Sequence, residues 1–420
     1  MKNVVYSATR QWNPGDEFIL QGSINLIQAA IGEHNAILYN RHPGLRPLYG
    51  EGRFRRVRED WSNPQVNELE KDFQIGFFDN SVKFDTDLSF ADYAVIAGSP
   101  ECFNRRTENF YYHIGKNNIP LLALGVGHVD DIIPEWVLAI FQKALLKTVR
   151  SPRIKEILQN RFGIMSHYFP CPALFCIPCG REKQITEVHS IALVFAASAR
   201  DSIPYQEISD EAYDFTRNFY RTLLDKFRPQ YNFEIVCHYI DELPVAFREF
   251  KNFGVDIRYS FNAQEYEDIY RKADLVISPR VHGCGIASSL GIPSLHISHD
   301  ALRSDTTDGF HAYPLAVSMS LEDSIARFSE IVQKAEQANR DLLQYKHSSF
   351  AEYMLLIRQA MQGPALLPYA VTLPEEPESF AKNPTEVLAA FMPKEQESNT
   401  PRPPKRFRKR LWNFLVKRGR

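Results

Sequence analysis

YRKADLVISPRVHGCGIASSLGIPSLHIS, residues Tyr270–Ser298, divides into four pieces of different character. Ala273–Ser278 is a short apolar run carrying Val276 and Ile277, the pattern of a buried strand. Pro279–His282 is polar and opens on proline. Gly283–Leu290 is small and helix-compatible, and Gly291-Ile292-Pro293 stops it before a second apolar run, Ser294–Ile297. Strand, tight turn, helix, Gly-Ile-Pro and strand make a βαβ unit, since parallel strands need a crossover between them. In such sheets ligands collect at the carboxyl ends of the strands, against the free N–H groups of the helix that follows. Arg280 and His282 stand there.

An arginine, a histidine and a glycine-fronted helix suit a small ligand with several negative charges. Arg280 can grip a carboxylate or phosphate with two parallel N–H donors. His282 can pass a proton near neutral pH. Gly283 and Gly285 let backbone approach a ligand closely. The competing reading is structural: Arg280 in a surface ion pair, His282 hydrogen-bonded, and the glycines serving tight helix–sheet packing.

Ala273, Asp274, Ser278, Arg280, His282, Gly283, Gly291 and Pro293 follow one another in an order that resembles the C-terminal signature of the polysaccharide pyruvyl transferase family. Further matches extend the resemblance over residues 1–315. Asn13-Pro14-Gly15-Asp16-Glu17 looks like the family's N-terminal motif, placed after a first strand at Val4–Ala8 and before a helix through Phe18–Ile31. Asp16 is the best candidate for a base, with Glu17 in reserve. The structural alternative for this pair is a helix start whose acids complement the dipole.

The chain has 420 residues, too many for one ordinary core, so two domains are expected. Hydrophobic content of 44% and charged content of 24% are those of a globular protein. A net charge of −2 gives no general attraction for nucleic acid. No apolar run approaches the roughly 20 residues that cross a bilayer, and MKNVVYSATRQWNPGDE lacks a signal peptide's apolar core, so a cytoplasmic location is expected. Six cysteines at irregular spacing read as thiols. Cys171, Cys176 and Cys179 lie close together, but no second Cys-x-x-Cys completes a zinc set, and no metal site is expected.

Alternation of strands and helices continues through both halves. Ala36–Tyr39, Tyr93–Ala97 and Leu121–Leu124 read as strands, the last two ending in glycine turns at Gly98-Ser99-Pro100 and Gly125-Val126-Gly127-His128. Arg46 to Arg58 reads as a long loop able to cover an acceptor. Leu145–Arg150 and the helix after Ser151-Pro152 resemble the family's Val-Arg-Asp segment. The resemblance implies an anion-binding role for Arg150. Serine at 151 and cysteine at 171 stand where the family usually has acids. Beyond a connector at Cys179–Glu187 come a strand at Ile191–Ala196, a helix at Asp210–Phe227, a strand at Phe233–Cys237 and helices at Asp241–Phe250 and Ala263–Lys272. The pattern predicts two doubly wound, Rossmann-like α/β domains facing a cleft, which the resemblance also implies as a glycosyltransferase-B-like arrangement. The domains are expected at 1–180, on the acceptor side, and 188–318. Closing helices follow at 319–362. Proline-, glutamate- and serine-rich sequence at 363–404 reads as a disordered linker. Residues 405–420 read as a basic amphipathic tail suited to an anionic membrane surface.

The resemblance implies transfer of the carboxyvinyl group of phosphoenolpyruvate to a pair of hydroxyls on a saccharide acceptor, lipid-linked in many such systems. A pyruvate ketal forms and phosphate is released. His282 would be the acid and Asp16 the base. Arg280 and Arg150 would hold carboxylate and phosphate, with Arg303 standing where the family tends to have lysine. Gly15, Asn13 and Gly283 would line the site. No cofactor is expected beyond phosphoenolpyruvate itself as donor. Two other functions fit the same residues: a nucleotide-sugar glycosyltransferase on this frame, and a membrane-tethered binding protein with a decayed cleft.

Overall fold

The computed structural model describes residues 1–8, 14–40, 81–82, 87–97, 102–103, 107–129, 132–198, 208–239, 242–260, 263–299, 301–363, 368–369 and 371–375. The N-terminal lobe runs β1 (Asn3–Ala8), α1 (Pro14–Ile31), β2 (Asn35–Asn40), β3 (Ser81–Val82), β4 (Tyr93–Ile96), α2 (Glu108–Asn117), β5 (Leu121–Val126), α3 (Glu135–Gln142), β6 (Leu146–Val149), α4 (Pro152–Phe162) and β7 (His167–Tyr168). A 3₁₀ turn at Pro172–Phe175 leads out of it. The second lobe runs β8 (Ser190–Phe195), α5 (Asp210–Phe227), β9 (Asn232–Cys237), α6 (Glu242–Phe250), β10 (Asp256–Arg258), α7 (Glu265–Arg271), β11 (Leu275–Ser278), α8 (Val281–Ser289), β12 (Ser294–Ser298), α9 (Ala301–Thr307) and β13 (Tyr313–Ala316). The chain then continues as α10 (Leu321–Gln333) and α11 (Ala335–Gln362).

Among the described residues the first sheet has seven strands in the order β3-β2-β1-β4-β5-β6-β7, and the second has six in the order β10-β9-β8-β11-β12-β13. Every pairing is parallel. Both sheets therefore reverse direction at equivalent places, between β1 and β4 and between β8 and β11, where a doubly wound sheet opens its binding crevice. The period-2 alternation of the strands divides the core into two. Val4, Tyr6 and Ala8 look to one face, toward α1 and the second lobe, whereas Val5 joins Tyr39, Ile96, Phe110 and Ile140 on the other. The first of these clusters runs without interruption into the second lobe, through Leu193, Ile277 and Leu295.

Three sequence expectations change. The short strands β3, β7, β10 and β13 fall where no apolar run announced them. The two closing helices meet at Lys334, between α10 and the long α11. The supposed disordered linker is in part docked: Tyr369 is buried, its hydroxyl donates to the Ile119 carbonyl at 2.9 Å, and its N–H donates to Asn118 Oδ1 at 2.9 Å. Leu373 lies against Gly115 of α2. Apolar residues spaced between prolines were enough to anchor it. The 46–58 loop, the Gly98-Ser99-Pro100 turn and the 405–420 tail lie outside the described residues. Among the described residues, no helix is long and apolar enough to cross a membrane.

Candidate active site

The β11–α8 turn is built by one side chain. Ser278 Oγ accepts from the Arg280 N–H at 3.0 Å and donates to the Arg280 carbonyl at 2.6 Å, closing the strand end onto the helix start. Arg280 becomes the extended residue that precedes α8. His282 consequently sits inside the first turn of the helix, which begins at Val281, two residues before the Gly283 start that the sequence pattern suggested. Gly283 and Gly285 stand at close packing contacts. A Cβ on Gly283 would lie 2.5 Å from Ser278 Oγ and 2.9 Å from Val194 Cγ2, and one on Gly285 would press on Phe310 and Ala173. Both positions thus serve tight packing of α8 against its neighbours.

His282 points across to the other lobe. A Cβ on Gly15 would fall 2.0 Å from its Cδ2, so the first turn of α1 is in contact with the imidazole face only because residue 15 has no side chain. Asp16 and Glu17 follow in the same turn, both buried. The structure thus brings Gly15, Asp16 and Glu17 to the reversal point of one sheet and His282 to that of the other, with the two points touching. Asn13 lies outside the described residues.

Arg280 is paired, and the pair is buried rather than on the surface. Its Nη2 meets the carboxylate of Glu242, the first residue of α6, which is 0% exposed while Arg280 is 7% exposed. The other Glu242 oxygen accepts the N–H groups of His238 at 2.9 Å and Tyr239 at 3.1 Å. The Tyr239 ring lies under the guanidinium at 4.5 Å. Beside them His238, just past the end of β9, stacks near-parallel on His282 with ring centroids 6.5 Å apart. Its Nε2 is 2.7 Å from the Tyr270 hydroxyl, and its Nδ1 is buried with no hydrogen-bond partner among the described residues. Burial, then the charges of His282 and Arg280, push the His238 pKa well below the usual histidine range. Sequence reading missed His238, Tyr239 and Glu242. The available signal was polar residues at the carboxyl end of a strand, Cys237-His238-Tyr239, followed by an acid at a helix start.

Arg150 follows β6 in the first lobe and is half-buried. Its guanidinium lies across Gly127, where a Cβ would be 2.1 Å from Nε, and its Nη1 is 3.8 Å from Cys171 Sγ. Its Nε is buried with no hydrogen-bond partner among the described residues, and no carboxylate there pairs with it. The two departures from the acidic pattern now separate. Ser151 caps α4, its Oγ accepting from the Ile154 N–H at 3.2 Å, a task any short polar residue performs. Cys171 instead puts a buried thiol where the family usually has a carboxylate, beside Arg150. Arg303 belongs to α9, and its side chain lies outside the described part.

One further signature residue, Asp274, is structural. Asp274 accepts the N–H groups of His189 at 2.8 Å and Ser190 at 2.9 Å and pairs with Lys183 at 2.7 Å, fastening the connector to the start of β8. Cys179, Glu182 and His347 come close enough to share a cation, but Lys346 already neutralises Glu182 at 2.7 Å.

Residues 13–301, well over half of the 420, match the family described as polysaccharide pyruvyl transferase. The chain belongs to that family. It is thus an enzyme, a pyruvyl transferase of polysaccharide biosynthesis, and its acceptor class is saccharide. No curated protein matches the sequence. Among solved structures, a UDP-GlcNAc 2-epimerase from Neisseria meningitidis bound to UDP-GlcNAc is similar over 84% of this chain and 100% of its own, at 12% identity and a TM-score of 0.51. A putative UDP-N-acetylglucosamine 2-epimerase from Listeria monocytogenes is similar over 86% and 96%, at 9% identity and a TM-score of 0.51. At such identities the likeness is one of fold, the two-lobed glycosyltransferase-B-like arrangement of this pyruvyl transferase family member.

Proposed function

We propose that the chain transfers the carboxyvinyl group of phosphoenolpyruvate to two hydroxyls of a saccharide, giving a pyruvate ketal and inorganic phosphate. The observation that carries this reading is the contact between His282 and Gly15, which joins an imidazole from one lobe to an acidic first turn from the other. His282 donates a proton to the enol methylene, which becomes a methyl group and leaves a cationic centre at the adjacent carbon. A sugar hydroxyl adds to that carbon and gives its proton to Asp16, with Glu17 next to it. The carbon–oxygen bond to phosphate breaks, and the second hydroxyl closes the ketal. Of the two hydroxyl protons, one replaces the proton spent on the methyl group and the other leaves on phosphate.

Arg280 holds the donor's carboxylate. Arg150 supplies positive charge that no described carboxylate cancels, suited to the departing phosphate. The test is phosphate release from phosphoenolpyruvate with a panel of lipid-linked and nucleotide-linked saccharides, run beside binding of a nucleotide sugar. Release with at least one acceptor is expected, and His282→Ala should lower it by about 10²–10⁴-fold with the melting temperature retained. Binding of a nucleotide sugar without any use of phosphoenolpyruvate would transfer the case to a glycosyltransferase.

A further inference from the structure

We infer that Glu242 is a positioning residue for the donor-binding arginine, and that it acts with Tyr239 to fix the direction in which Arg280 presents its remaining donors. The inference deepens the reading above by adding a residue 38 positions upstream that the family signature does not contain. A guanidinium on a flexible four-bond stem carries five N–H donors in one plane. Two contacts determine that plane here. One terminal nitrogen is held by a carboxylate that is 0% exposed and is itself locked by two backbone N–H groups. One face is held by the Tyr239 ring at 4.5 Å. Glu242 stands at the start of α6, Tyr239 follows β9, and the two backbone donors belong to the same turn. The orientation of Arg280 is therefore built by a β9–α6 corner within the second lobe, before any donor arrives.

A carboxylate that merely stabilised the fold would predict something different. Loss of such a residue lowers the melting temperature but leaves donor affinity alone in whatever protein remains folded. A positioning carboxylate sets donor affinity, because a guanidinium released from its corner must be reordered each time the donor binds.

The experiment compares Glu242→Gln, Glu242→Asp and Tyr239→Leu with the parent chain by steady-state kinetics on phosphoenolpyruvate, thermal melting and a crystal structure of Glu242→Gln. Glu242→Gln is expected to raise KM for phosphoenolpyruvate about tenfold, equivalent to about 1.4 kcal/mol, with kcat within about threefold. Glu242→Asp should recover most of that loss. In the crystal structure the guanidinium should leave the Tyr239 ring. Tyr239→Leu keeps the ion pair and should raise KM about threefold, which keeps the inference exposed if Glu242→Gln does not fold. An unchanged KM in the folded variants, or an Arg280 still seated on Tyr239 without the Glu242 charge, overturns it. A parent chain that does not use phosphoenolpyruvate defeats the proposed function separately, and the crystal structure then still decides whether Glu242 holds Arg280.

Discussion

His238 shows how a buried side chain can matter to a half-buried one. It is 2% exposed and kept neutral by burial, so a ring free of charge lies against His282. The sign of its effect on stability follows. A histidine whose folded pKa is depressed contributes stability that is fully present above its unfolded pKa, about 6.5, and is lost as pH falls below that value toward the folded one. His238→Phe keeps a flat ring for His282 to stack on and removes the titrating group. Its melting temperature should fall less between pH 7 and pH 5 than that of the parent chain, as read by circular dichroism at several pH values. An identical slope in the two proteins would mean that His238 is charged inside the fold. Turnover should also drop in this variant, since Tyr270 loses the ring nitrogen 2.7 Å from its hydroxyl and His282 loses a fixed neighbour.

Helix α1 carries two glycines whose missing side chains serve different ends. Gly22 meets backbone: a Cβ there would lie 1.8 Å from the Pro172 carbonyl oxygen, where the 3₁₀ turn crosses the helix. Gly15 meets the imidazole of His282. Gly22→Ala should therefore cost about 1–3 kcal/mol in urea unfolding, because backbone must shift to admit the methyl. Gly15→Ala should leave most of the stability and abolish most of the turnover, because a side chain can rotate away but then leaves the site. Equal effects of the two substitutions on activity would show that the interlobe contact is not where chemistry occurs. The same comparison marks what the sequence could disclose. The β11–α8 unit was legible because strand, turn and helix are contiguous and each local choice agrees with the rest. Asp16 and Glu17 were legible as a helix start, and only the family resemblance set them opposite His282; local pattern could not, since that depends on how two lobes pack whose meeting residues, Asp16 and His282, are 266 positions apart. The Arg280–Glu242 pair was hidden for the same reason, as it joins two turns of one sheet that α6, β10, α7 and β11 separate in the chain. Strands of two to four residues at sheet edges escaped because so few residues leave no period to count.

The two lobes are held in register by a single long helix and the connector beneath it. Helix α11 starts against the second lobe and ends against the first, where Arg358 donates to the Ala29 and Ala30 carbonyls that close α1, both at 3.0 Å. Near its middle Lys346 is 0% exposed and its ammonium is fully used: it donates to the carbonyls of Ile177 at 2.9 Å and Ser289 at 2.7 Å and pairs with Glu182 at 2.7 Å. One cation thus ties the connector, the end of α8 and α11 together. Burial would raise the Glu182 pKa, but the hydrogen bond and charge of Lys346 outweigh it and hold the carboxyl below its usual range. That depression contributes stability above the unfolded carboxylate pKa, about 4.3, which is lost as pH falls through the folded value. Removing one partner of a buried pair leaves the other charge uncompensated, at a cost of about 3–5 kcal/mol. Lys346→Met should therefore lower the free energy of unfolding in urea by that much near neutral pH, and the deficit should shrink in acid as Glu182 protonates. Lys346→Met combined with Glu182→Gln should recover part of it, since no bare charge then remains. A single variant as stable as the parent, or a double variant no better than the single, would mean that the connector is held by its backbone and by Asn339, which accepts the Ile185 N–H and donates to the Lys183 and Gly291 carbonyls, rather than by this cation.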